Sequence, residues 1–118
     1  MFTINMEIEE KTDYTLSVTY RDDTTNLPVN LSGYKANLQI RGMFGSPYVL
    51  IDLNETNGIT LGGPSGNIDI KIKASDTDKS LDSNPWTRAA YDLILTNTQN
   101  ERIKLLKGFV TVIRSSTI

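Results

Sequence analysis

The chain has 118 residues, 12 Lys and Arg against 14 Asp and Glu, a formal net charge of −2, and no His or Cys. Without imidazole or thiol there is no Ser-His-Asp triad, no His- or Cys-ligated metal, no thiolate nucleophile and no disulfide. The near-neutral charge gives no electrostatic reason to expect nucleic acid or an anionic membrane as partner, and no apolar run approaches the roughly 20 residues of a bilayer span.

Period-two alternation dominates from the first residues onward. Phe2, Ile4, Met6 and Ile8 alternate with Thr3, Asn5, Glu7 and Glu9, the pattern of a strand with one buried face. Tyr14, Leu16, Val18 and Tyr20 repeat it. The polar stretch 21–28, ending in Pro28, predicts a hairpin-type loop. Tyr34, Ala36, Leu38 and Ile40 mark a third strand, and residues 42–47 break the pattern with two glycines and a proline. A fourth strand spans 48–53 and closes at Asn57-Gly58, a dipeptide tolerant of positive φ.

Residues 59–61 form a short strand, and Gly62-Gly63-Pro64-Ser65-Gly66 is a turn. Ile68, Ile70 and Ile72 then point inward between Asp69, Lys71 and Lys73. Only 75–86 lacks strand character; there Ser75 is expected to cap a helical turn carrying Asp76 and Asp78. Ala89, Tyr91, Leu93 and Leu95 resume the alternation, and 102–113 forms the last strand. Its apolar phase shifts, and Gly108 is the expected site of the bulge that shifts it. About eight strands with turns every 8–12 residues predict an all-β sandwich, best matched by an immunoglobulin-like fold. Residues 1–118 are expected to make one such domain, and 14 Thr and 12 Ile suit it.

Few residues point to chemistry. Asp76 and Asp78 lack the acidic run and closing Glu of a calcium loop, and no two carboxylates sit in an apolar setting that would separate their pKa values. The 62–66 loop lacks the Lys-Ser/Thr ending of a phosphate-binding loop. No cofactor or metal is therefore expected, and no catalysis. Aromatic and apolar residues in loops and at an edge are better candidates, as partner contacts: Met43 and Phe44 between glycines, Tyr48 and Trp86 beside prolines, and Phe2 and Ile4 on the first strand, the expected sheet edge.

The order of motifs resembles the immunoglobulin-like N-terminal domain of phage baseplate upper proteins and related tail-fibre attachment domains. The residues that carry the resemblance start with Thr12-Asp13-Tyr14-Thr15-Leu16-Ser17-Val18 and Pro28-Val29-Asn30-Leu31-Ser32-Gly33-Tyr34. They continue with Ile59-Thr60-Leu61 to Gly66-Asn67-Ile68, then Asp76-Thr77-Asp78-Lys79-Ser80-Leu81, whose Leu stands one residue late. Tyr91-Asp92-Leu93-Ile94-Leu95 and Leu106-Lys107-Gly108-Phe109-Val110-Thr111-Val112 complete it.

The resemblance implies a non-catalytic virion subunit of the tail, baseplate or fibre-attachment region, made in the host cytoplasm. Its partners would be other virion proteins and copies of itself in a symmetric assembly. Members of that group usually continue into further domains, so a chain ending here is expected to act as a stand-alone adaptor. The alternatives are a carbohydrate-binding module for host-surface glycans, using Trp86, Tyr48 and Tyr34 with calcium near Asp76 and Asp78, and a decoration protein of the capsid or neck.

Overall fold

The alternating segments become strands whose apolar residues meet in one core. A computed structural model describes residues 2–43, 47–77 and 87–114. The strands are β1 (Phe2–Thr3), β2 (Met6–Glu9), β3 (Tyr14–Thr19), β4 (Lys35–Arg41), β5 (Val49–Asn54), β6 (Ile59–Leu61), β7 (Asn67–Ile72), β8 (Arg88–Thr96) and β9 (Arg102–Ile113). A 3-10 turn covers Gly63–Ser65, and one helical turn, α1, covers Ala74–Thr77.

They form two sheets. The larger runs β1-β9-β8-β4-β5, with β2 also on β9, and the smaller runs β3-β7-β6. Both β1 and β2 lie parallel to β9, whereas the other neighbouring strands are antiparallel. A three-stranded sheet facing a larger one, with strands exchanged between the two along the chain, is the arrangement of an immunoglobulin-like sandwich. The fold is all-β and immunoglobulin-like.

Ile68, Ile70 and Ile72 of β7 and Leu38, Ile40, Leu93 and Leu95 of the larger sheet are fully buried between the layers. Burying each such side chain stabilises the fold by about 1.5–3 kcal/mol. Leu31, in the polar connection before β4, is buried with them. The 21–28 segment is a small hairpin, in which Asp22 accepts backbone N–H bonds from Thr24 and Thr25 and donates its own N–H to the Leu27 carbonyl. Those two N–H donors lower the Asp22 pKa. The Asn57-Gly58 turn follows a different course, because β5 belongs to the larger sheet and β6 to the smaller. It carries the chain across the sandwich.

Three sequence expectations need correction. The bulge in β9 is not at Gly108: the register against β8 slips between Leu93 and Ile94, so Leu105 is the extra residue and both Leu105 and Leu106 are buried. Gly108 serves a close approach instead. A Cβ there would lie 2.1 Å from the Ile4 carbonyl oxygen, so only glycine lets the first strand pass. The first strand is split at that point. The Ile4 carbonyl accepts the Tyr91 hydroxyl at 2.6 Å, and the Asn5 side chain replaces it as acceptor for the Phe109 N–H at 3.0 Å. β1 and β2 nevertheless keep one register, with Phe2 opposite Leu106 and Met6 opposite Val110.

Second, the four apolar residues of the first strand do not share one fate. Met6 and Ile8 are buried and Ile4 is half-buried, but Phe2 is 58% exposed. Third, Ser75 lies inside α1 and does not cap it; the Asp76 carboxylate turns back to accept the Lys73 N–H at 3.0 Å, and Asp13 accepts the Ala74 N–H at 2.8 Å. Asp78 lies outside the described residues.

Candidate functional site

The outer face of the larger sheet carries the first candidate surface. Strand pairing sets Val49 beside Arg41, Arg41 beside Ala90, and Ala90 beside Phe109, a row crossing four strands near the β4–β5 connection. Val49 and Phe109 are each 40% exposed. The Arg88 guanidinium stands 4.5 Å over the Phe109 ring, a cation–π contact that presents both groups to solvent together. Met43 and Tyr48, which flank the connection, are exposed more fully still.

Beside this row a hollow of about 330 Å³ is lined by Gln39, Arg41, Met43, Asp92, Arg102 and Lys104. Lys104 pairs with Asp92 at 3.5 Å, and Arg41 donates to Gln39 Oε1 at 2.5 Å. The hollow therefore carries more cationic than anionic side chains, and the row beside it adds the exposed apolar side chains of Val49 and Phe109. Aromatic, Met and Arg side chains together are the composition enriched at protein interfaces.

A second surface lies on the side of the sandwich where β1 and β3 are the sheet edges. Phe2, Ile4, Val18, Leu105 and Leu106 line an apolar groove of about 310 Å³ between them. The inward residues of β3, Tyr14, Leu16 and Val18, are only partly buried, whereas their neighbours Ile72, Ile70 and Ile68 in β7 are fully so. Among the described residues β3 has a neighbour on one side alone.

Of the six residues singled out from the sequence, Phe2 and Ile4 thus fall on one surface and Met43 and Tyr48 on the other; Phe44 and Trp86 lie outside the described residues. Tyr34 and Tyr48 precede β4 and β5, which pair antiparallel, and so sit at opposite ends of that hairpin. Tyr34 also packs against the core, so these two rings make no common platform for a sugar. Sequence reasoning missed Val49, Arg88 and Phe109. Phe109 had a legible signal: Val110 and Val112 set the inward parity of the last strand, which leaves a large aromatic facing out.

The shifted titrations have structural causes. Burial pushes the Tyr91 phenol up to about 12, and burial likewise raises Tyr14 and, with help from Tyr34, Asp23 and Asp22, Tyr20. Among the described residues no three carboxylates converge as they would around a metal ion, and no helix is long and apolar enough to cross a membrane.

No protein-family model and no curated protein matches the chain. Solved structures do. A voltage-gated sodium channel β-subunit chain, from work on multimeric cell-adhesive interactions, is 17% identical with a TM-score of 0.48, over 94% of this chain and 92% of that one. The extracellular domain of the voltage-gated sodium channel β4 subunit, described as a parallel homodimer, is 17% identical with a TM-score of 0.45, over 96% and 92%. Drosophila OTK extracellular domains 3–5 are 19% identical with a TM-score of 0.42, over 94% of this chain and 32% of that one.

Proposed function

We propose that the protein is a non-catalytic structural subunit of a phage virion, an adaptor in the tail, baseplate or fibre-attachment region that works by protein–protein contact. The observation that carries the contact mode is the exposed apolar set Val49, Phe109, Met43 and Tyr48, gathered on one face by the row that runs through Arg41 and the buried Ala90. These apolar side chains, interleaved with Arg41 and flanked by Arg88, Arg102 and Lys104, suit a partner surface that combines apolar and acidic groups. The place in a virion comes from the order of sequence motifs.

Immunogold labelling of phage particles with an antibody to this chain tests the reading. Label at the tail tip or baseplate is the expected result. Label across the head would replace it with capsid decoration, and intact particles without label would overturn it. Particles carrying Phe109→Ser together with Tyr48→Ser should lose the label while the isolated variant stays folded.

A further inference from the structure

The β3 edge supports a second inference, independent of the role given to the outer face. Tyr20 donates its N–H to the Gly66 carbonyl on the β7 side. Hydrogen-bonded pairs alternate along an antiparallel ladder, so Tyr14, Leu16 and Val18 also bond toward β7. The backbone N–H and C=O groups of Thr15, Ser17 and Thr19 therefore point to the open edge. Edges are ordinarily guarded by charge, proline, bulges or short length. β3 has six residues, none of them charged or proline, and a regular register against β7.

We propose that a second copy of this chain occupies that edge, β3 pairing antiparallel with β3 about a two-fold axis through Ser17. Ser17 then faces the partner's Ser17, and Thr15 faces the partner's Thr19. These are the residues whose backbone groups point outward, so the three pairs exchange about six hydrogen bonds. On the inner side Leu16 meets the partner's Val18, and Tyr14 meets the partner's Tyr20. The half-buried side chains of β3 thereby gain apolar neighbours, as an isologous interface requires. The result is one six-stranded sheet with β6 at each outer edge. The groove of Phe2, Ile4 and Val18 opens on the same side and is covered by the pairing.

Charge favours this register. At both ends of the paired run Asp13, which lies 3.6 Å from Lys71 of its own chain, faces the partner's Arg21, so opposite charges meet there. A slip of two residues in either direction breaks that pairing. A slip of one residue sets the inward face of one strand against the outward face of the other.

Sedimentation velocity across a concentration series, with the full chain, tests the proposal. The wild-type chain should show a reversible monomer–dimer equilibrium. Ser17→Lys, which sits opposite Asp69 within its own chain but opposite itself across the axis, should weaken association about tenfold or more. Thr15→Glu with Thr19→Glu should do the same, whereas Thr15→Glu with Thr19→Lys should dimerise at least as well as wild type. Circular dichroism and melting of each variant at dilute concentration establish that the fold is intact. A wild-type chain that stays monomeric throughout, or a Ser17→Lys chain that dimerises like wild type, would overturn the proposal. Equal association of the two Thr15/Thr19 pairs of variants would overturn the register.

Discussion

The two strand edges that flank the apolar groove are finished in opposite ways. The edge made by β1 and β2 presents Glu7 and Glu9 to solvent, is split at Ile4 and Asn5, and ends where the buried Glu10 carboxylate pairs with Arg114. The β3 edge, a short turn away, has none of these features. Charge and interruption on the first edge oppose the addition of another strand; an uncharged, regular run of six residues on the second invites it. One connection, residues 10–13, therefore joins an edge built to stay alone to an edge built to be covered.

The same contrast predicts a ranking of stabilities. The largest effect belongs to Gly108→Val, because a side chain there collides with the Ile4 carbonyl and the first strand must leave β9. A loss of about 3 kcal/mol or more in chemical denaturation is expected, and an effect under about 1 kcal/mol would mean that β1 does not pass where described. Ile70→Ala and Leu16→Ala compare directly opposite neighbours in the smaller sheet. Ile70 is fully buried and should cost about 2–5 kcal/mol. Leu16, half-buried on the open edge, should cost clearly less when the protein is dilute, and the gap should narrow where β3 is paired.

Tyr91→Phe comes next. It removes the donor to the Ile4 carbonyl and should cost about 1–3 kcal/mol. It also has a pH signature. The phenol ionises near 10.0 in the unfolded chain and near 12 in the folded one, so the folded state holds the proton more tightly. That contribution is complete below about pH 10 and is lost as the pH rises toward 12. Alkaline denaturation should therefore be shallower over that interval in Tyr91→Phe than in wild type. The smallest effect on stability is expected for Glu7→Thr, an exposed outward position. Its consequence should be higher-order association at high concentration, since it removes charge from the guarded edge.

Much of this architecture was legible in the alternation of residues. Ile68, Ile70 and Ile72 against Asp69, Lys71 and Lys73 could only be a strand with one buried face, and the Asp22 and Gly62–Gly66 turns fell where their residues placed them. The exceptions share a cause. Phe2 obeys the period of its strand and is still exposed, because burial depends on whether the facing sheet extends that far. Leu31 has no period and is buried, because the connection before β4 lies over the end of the core. The phase change in the last strand was visible from the parity of Ile103, Leu105, Leu106 and Val110. Its site was not, because Gly108 was occupied by a contact from the other end of the chain.

Sequence alone determined that this protein is a sandwich of short strands, since a period of two fixes which side chains turn inward whatever the neighbour. It also determined that the chemistry of His and Cys is absent, since those residues are. Only the tertiary structure decided which strands are neighbours, because backbone hydrogen bonds carry no residue identity and any strand can pair with any other. That decision placed Val49, Arg41 and Phe109 in one row from three separate segments, and set the first strand on β9, leaving β3 with an open edge.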